Sequence, residues 1–384
     1  MRILFIISDA NCRGGTEALS LSIMRALKDS GYDCFLFSRH YYEGTDPRVF
    51  SLTRDQYQTY IKIWNSPINK LIGCNDSDQY IKSFVEAFIV ENKIDWVVNH
   101  DQDLIGVIPS KANVKTAQVF NWSIKGYEDT IGASIGLKSA LARMASRCAL
   151  NASRRRWHSR YPAMDKLVVL TSAAREELLK YSSKLRAGQI VTIPDPLMFT
   201  SESATLSTLD NKQLVYVGRL SQEKGVIRLL RIWERLGARM PDYTLNIYGD
   251  GHLRGEMETF IHEHQLKRVV LKGFSSDLES IYTNSDLCLM TSDTEGFGMV
   301  LIEAMYYGVP CVAFDCPVSP KEVIADAGVT VPCFDEEVYA NEVVALLRDK
   351  NRLRDLQIRA VNRAKDFYID KVIKLWIEML NSEG

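Results

Sequence analysis

The sequence predicts an α/β protein built from two parallel-sheet domains, and three observations carry that reading. Short apolar runs alternate with longer amphipathic stretches along the chain, the pattern of βαβ units with buried strands. The chain has 384 residues, more than one ordinary core accommodates. The rhythm breaks between Ile193 and Lys212, where IPDP and then SESATLSTLDNK are small and polar without periodicity. That segment reads as the domain boundary.

In chain order, Ile3–Ile7 predicts a strand and Glu17–Ser30 a helix that ends at Gly31. Further strands are expected at Cys34–Ser38, Trp96–Asn99, Lys115–Phe120 and Lys166–Thr171, with helices at Gln79–Asn92 and Gly136–Ser153. Beyond the boundary a second series has strands at Leu214–Val217, Thr244–Tyr248, Val269–Lys272, Leu287–Thr291 and Cys311–Phe314. Helices are expected at Ile227–Ala238, Leu253–His264, Leu278–Asn284 and Met299–Tyr307. From Asp366 onward, Phe367, Val372, Leu375, Trp376, Met379 and Leu380 line one side of a closing helix. Residues 41–82, rich in tyrosine and charge, have mixed periodicity and predict nothing firm.

Composition narrows the function by exclusion. Hydrophobic residues are 46% and charged residues 25%, with a net charge of −1. These are values of an ordinary globular protein with no overall bias toward nucleic acid. The eight cysteines form no CxxC pair and no cluster with metal-ligand spacing. No apolar run reaches the length of a membrane span, and the apolar N-terminal stretch is too short for a signal peptide. A cytoplasmic location is therefore expected.

Two constellations carry chemistry. Residues 214–225, LVYVGRLSQEKG, read as a strand followed by a loop that presents Arg219 and Lys224 between Gly218 and Gly225. A planar guanidinium and a compact ammonium suit a diphosphate, although the same residues also read as two surface cations. The second is EGFGMVLIE, after the apolar segment DLCLMTS, with Glu295 and Glu303 eight residues apart. A strand end, glycine turn and helix start expose free N–H groups that suit a phosphate. The spacing places Glu303 on about the same helix face as Glu295, about 12 Å further along. Taken singly, Glu295 also reads as an acid complementing a helix dipole and Glu303 as a solvated helical glutamate. A third, weaker signal is CRGGTE, where Gly14 and Gly15 allow close backbone approach.

With VGRLSQEKG, IYGDG, LKGF, EGFGMVLIEAMYYGVPCVAFD and the N-terminal GGTE, most of the chain resembles the retaining glycosyltransferases of family 4. The resemblance implies a GT-B fold: two Rossmann-like domains with an interdomain cleft. It implies domains at 1–194 and 195–365, with 366–384 returning to the first. It further implies transfer of a hexosyl unit from a nucleotide diphosphate sugar, a UDP-sugar first among them, to a glycan or lipid-linked hydroxyl in surface-polysaccharide synthesis. Arg219 and Lys224 would neutralise the diphosphate, and Glu303 would hold the ribose. Glu295 with the Gly296, Phe297 and Gly298 backbone, leading into Met299 and Val300, would hold hexose and phosphate. Gly273, Phe274 and Ser275 would contact the base, and Gly15 would approach from the opposite domain. His100, at a strand end, would serve the acceptor side, although a lone histidine there is also read as structural. Asn121 stands where the family commonly has a histidine, and Asp195-Pro196 where it has Asn-Pro.

Asp101-Gln102-Asp103 spells a DxD sequence that binds divalent metal in another glycosyltransferase fold. Here the cations of the chain itself are expected to serve, so no metal and no cofactor are expected. Residues 137–160 are basic, with an apolar stripe and Trp157, and form a candidate for peripheral contact with an anionic membrane. An ordinary sheet-packed helix explains them equally. Two other readings are a soluble small-molecule acceptor and a non-catalytic partner subunit. A dehydrogenase would need GxGxxG after the first strand, which GGTE does not supply.

Overall fold

The computed structural model describes residues 1–11, 15–44, 46, 48–64, 75–108, 114–123, 159–199 and 204–382. The chain divides into two compact units, Met1–Pro194 with Ile369–Gly384, and Asp195–Tyr368. Each is a Rossmann-like α/β unit with one parallel sheet.

The first unit's sheet contains β1 (Arg2–Ile7), β2 (Asp33–Ser38), β3 (Val49–Ser51), β4 (Trp96–Asn99), β5 (Lys115–Phe120), β6 (Lys166–Val169) and β7 (Ile190–Thr192). Its order is β3-β2-β1-β4-β5-β6-β7, parallel throughout. The helices are α1 (Gly15–Asp29), α2 (Arg54–Trp64), α3 (Asn75–Asn92) and α4 (Ser172–Tyr181). Two differences from the sequence reading have local causes. Strands β3 and β7 are short edge strands, mostly half-buried, so they carry no long apolar run. The strand expected to reach Thr171 stops at Val169, because the Thr171 hydroxyl accepts the Ala174 N–H and caps α4. Helix α2 lies in the stretch that predicted nothing, and the helix expected at Gly136–Ser153 lies outside the described residues.

The second unit contains β8 (Gln213–Val217), β9 (Thr244–Tyr248), β10 (Val269–Gly273), β11 (Leu287–Met290), β12 (Cys311–Phe314) and β13 (Gly328–Val331). Its order is β10-β9-β8-β11-β12-β13. The helices are α5 (Val226–Gly237), α6 (Arg254–Glu263), α7 (Leu278–Thr283), α8 (Met299–Tyr306), α9 (Pro320–Ile324), α10 (Glu336–Arg348) and α11 (Lys350–Ala364). The strand order reverses direction between β8 and β11, which pair directly (Leu287 with Leu214, Cys288 with Val215). In open α/β sheets the loops beyond such a switch point form the ligand crevice. Both chemistry-bearing constellations leave the sheet there.

The closing helix α12 (Ile369–Asn381) belongs to the first unit. Val372, Trp376, Met379 and Leu380 are buried in one core with Leu19, Ile23 and Leu27 of α1, and the Trp96 indole donates to Leu380 O at 3.1 Å. The chain returns at Tyr368/Ile369, three residues later than the expected start at Asp366. Phe367 stays with the second unit because it is buried against Phe297 and its carbonyl accepts the Leu197 N–H at 2.7 Å.

Candidate functional site

The site is assembled from the loops after β8 and β11. Lys224 ends a short 3-10 turn (Gln222–Lys224), and Gly225 follows it with φ 63°. A β-carbon at Gly225 would lie 2.0 Å from Thr291 O, so the loop after β8 approaches that after β11 closely only with glycine here. Gly225→Ala is expected to cost at least about 2 kcal/mol of stability, because strain and a backbone clash act together. Chemical denaturation of the variant checks this.

Lys224 Nζ donates to both oxygens of Glu295, at 2.8 and 2.9 Å. The Ser292 hydroxyl donates to Glu295 Oε1 at 2.6 Å. Glu295 is therefore neither a free acid at a helix start nor on a helix. Helix α8 begins at Met299 after Gly298 with φ 89°, and Glu295 belongs to the turn before it. The expected common helix face of Glu295 and Glu303 is corrected accordingly: the left-handed Gly298 redirects the chain, so helical spacing does not apply between them. Phe297 is buried, which leaves the backbone of 296–298 and the first turn of α8 to meet a ligand. That helix has no side-chain cap, so its leading N–H groups remain suited to an anion.

Glu303 differs from the solvated glutamate that is the bland alternative. It is 7% exposed, and burial pushes its carboxyl up to about 7 against the opposing pull of the Tyr282 hydroxyl. Tyr282 Oη donates to Glu303 Oε2 at 3.3 Å. Burial also holds the Tyr282 phenol well above its ordinary value, so it remains a neutral donor. Arg219, five residues before Lys224, is exposed, and among the described residues its side chain makes no hydrogen bond or ion pair. At the end of β10, Gly273 has φ 73° with open space around its β-carbon position, and the following Phe274 is 81% exposed. Ser275 Oγ accepts the Asp277 N–H at 3.2 Å.

Sequence reasoning passed over Ser292, Tyr282, Arg228 and Asp293. Arg228 Nη1 donates to Thr291 O at 2.9 Å and to Asp293 Oδ1 at 2.6 Å. Ser292 and Asp293 left a readable signal, three and two residues before Glu295. Tyr282 and Arg228 become neighbours of the site through folding alone.

In the first unit, His100 and Asn121 lie together, with Asn121 Nδ2 donating to His100 O at 3.3 Å. The imidazole, expected on the acceptor side, lies in the core of this unit. His100 is 6% exposed and packs against Phe5 and Trp376, with centroids 6.0 and 6.2 Å away. Burial depresses its pKa to about 3. The cause is strand alternation: His100 continues the face of Trp96 and Val98, which shares a core with α12. Asn121 is half-buried, and its Oδ1 has no partner among the described residues. Gly15 opens α1 with nothing near its β-carbon position.

The DxD sequence is occupied internally. Arg39 lies 3.3 Å from Asp101 and 3.5 Å from Asp103, the role a cation would take. No group of potential metal ligands occurs among the described residues. Residues 137–158 of the basic stretch lie outside them, and among the described residues no helix is long and apolar enough to cross a membrane. Burial pushes Asp195, at the expected boundary, up to about 7.

Known proteins resemble this chain over its full length. An uncharacterized glycosyltransferase of Haemophilus influenzae is 24% identical over 98% of this chain and 98% of its own. A protein of Campylobacter jejuni named as an α-1,4-N-acetyl-D-galactosaminyltransferase for a diNAcBac-PP-undecaprenol-linked glycan is 28% identical, covering 99% of this chain and 98% of its own. Staphylococcus aureus TarM, solved with fondaparinux, α-GlcNAc-glycerol and UDP, superimposes with a TM-score of 0.77 at 13% identity, over 99% of this chain and 100% of TarM. That likeness gives the fold, two Rossmann-like units of the GT-B class. Residues 200–363, which hold Arg219, Lys224, Glu295 and Glu303 together, match the family model of the Glycosyl transferases group 1.

Proposed function

We propose that the protein is a retaining glycosyltransferase of family 4 that moves a hexosyl unit from a UDP-sugar to a hydroxyl of a glycan or lipid-linked acceptor. The observation that carries this reading is the meeting of Lys224, Glu295 and Ser292 at the β8/β11 switch point, with Glu303 on the following helix. Negative charge builds on the departing diphosphate, and preplaced cations and N–H groups lower the barrier by meeting it. Arg219 and Lys224 supply the cations, and the turn before α8 supplies N–H groups. Glu303 accepts from the ribose hydroxyls, and Glu295 orients Lys224 and the sugar. The chain's own cations take the part of a metal. The names of the Campylobacter relative and the ligands solved with TarM support a UDP-sugar donor and a lipid-linked acceptor in surface-glycan synthesis. A peripheral position at the inner face of the cytoplasmic membrane follows from such an acceptor.

The test is thermal denaturation of the full chain with UDP, GDP and a panel of UDP-hexoses, UDP-N-acetylhexosamines and GDP-mannose. A UDP-sugar at about 100 times its Kd is expected to add about 2.7 kcal/mol of stability. No shift with any uridine nucleotide would remove the donor assignment. Proton NMR of the product then decides retention from the anomeric coupling.

A further inference from the structure

The loop from Thr291 to Gly298 has no regular secondary structure, yet it must hold Glu295 within hydrogen-bonding distance of Lys224. Helix and sheet hydrogen bonds do not fix it, so other groups must. Thr291 Oγ1 donates to Lys224 O and Gly225 O, at 3.2 and 3.1 Å. The Asp293 N–H donates to Glu223 O at 2.8 Å. Arg228, on the first turn of α5, closes this set from outside through Thr291 O and Asp293 Oδ1. Its guanidinium lies 4.0 Å from the Phe334 ring centroid, and its side chain is 16% exposed. One side chain thus joins helix α5, the loop that carries Glu295 and the edge of the residue 333–334 segment.

We propose that Arg228 is a positioning residue for the donor site, acting with Asp293 as a clamp that holds the Lys224 and Glu295 loops in register. The inference rests on the donor-site reading given above for its functional consequence, and on the hydrogen bonds alone for the clamp. Arginine suits the position because its planar, weakly hydrated head donates to two acceptors while stacking on an aromatic face. A lysine keeps the charge and loses the stack. The pairing also explains why a charged side chain tolerates being mostly buried here, since its acceptors and the ring replace water. A displacement of Lys224 by about 1 Å is enough to cost up to 100-fold in a reaction that depends on placed charge.

The experiment uses the full chain and has two arms. In the first, hydrogen exchange of the Asp293 amide is followed in the unliganded protein. Arg228→Met, which keeps an apolar stem beside Phe334, is expected to speed it by about tenfold or more, with the Gly249 amide, bonded to Gly273 O, unchanged. Equal exchange in both proteins, or equal acceleration at both amides, would overturn the clamp. In the second, UDP affinity is measured by calorimetry for Arg228→Met, Arg228→Lys, Lys224→Ala and the Arg228→Met/Lys224→Ala double variant. Arg228→Met is expected to weaken UDP about tenfold and Arg228→Lys less, and the Arg228→Met penalty is expected to vanish once Lys224 is absent. A penalty of the same size in both backgrounds would mean that Arg228 acts on the nucleotide by charge or through general stability, and would overturn the positioning role. If the unaltered chain binds no UDP, the donor reading fails by itself, and the exchange arm still decides the clamp.

Discussion

Lys224→Ala is expected to lower sugar transfer by about 100- to 1,000-fold, the effect of removing one preplaced charge from a developing anion. Lys224 has Glu295 as its partner at 2.8 Å, so the substitution acts twice. It removes a cation from the leaving group, and it leaves a carboxylate that is only 6% exposed with Ser292 as its remaining donor. The second effect is expected to cost about 1–3 kcal/mol of stability, read as a lower denaturation midpoint. Turnover and UDP affinity should be measured below that midpoint, so that folded protein is compared with folded protein. Lys224→Arg is expected to restore stability better than rate, because a guanidinium reaches Glu295 with a different geometry. Full activity in Lys224→Ala would sink the assignment of this ammonium to the diphosphate.

Glu303→Gln is expected to separate stability from function. Burial raises the carboxyl from 4.5 to about 7. Between these values the folded state keeps a proton that the unfolded state has released. Stability therefore falls as pH rises through this window, by about 3 kcal/mol in total. Asp195, raised from 3.8 to about 7 by burial, adds a loss of the same sign. In Glu303→Gln the Glu303 part disappears, so the fall in unfolding free energy between pH 5 and pH 8 becomes smaller, and the Asp195 part remains. Denaturant titrations at the two pH values check this. Over the same range the unaltered protein is expected to bind UDP more weakly below about pH 7, where Glu303 is protonated. Loss of the charged acceptor in Glu303→Gln is expected to weaken UDP by about 10- to 100-fold at pH 8. A variant that binds UDP as well as the parent at pH 8 would remove Glu303 from the ribose. The expected opposition, lower sensitivity to alkaline pH with poorer binding, is the signature of a group buried for function.

Much of the architecture was legible because parallel strands buried on both faces read as apolar runs. Strands β1, β2, β4, β5, β8, β9, β10, β11 and β12 matched their runs within a residue. The strands that escaped, β3, β7 and β13, are sheet-edge strands of three or four residues, mostly half-buried. At an edge the chain needs fewer apolar side chains, so the signal shrinks with the burial. Helices α10 and α11 were also missed, since their buried positions are interleaved with many charged ones.

The candidate site shows the same division. Motif and spacing were enough to single out Arg219, Lys224, Glu295 and Glu303, because glycine turns after apolar runs mark the carboxyl ends of strands. Helical spacing misjudged the relation of Glu295 to Glu303, since it presupposes one continuous helix and Gly298 interrupts it. His100 had the residue type and strand-end position of a ligand contact, yet strand alternation turned its ring into the core beside Trp376.

The sequence by itself determined the two Rossmann-like units, the boundary near Asp195, the closing helix and the residues that carry charge to the strand ends. Only the tertiary structure decided which of those residues meet. Lys224 and Glu295 are 71 positions apart, and they touch because β11 adds directly beside β8 in the sheet. Burial of Glu303, the Arg228–Asp293 clamp and the Arg39 pairing that occupies the DxD carboxylates were decided in the same way. Each depends on dielectric surroundings and partners supplied by distant segments, which local pattern does not encode.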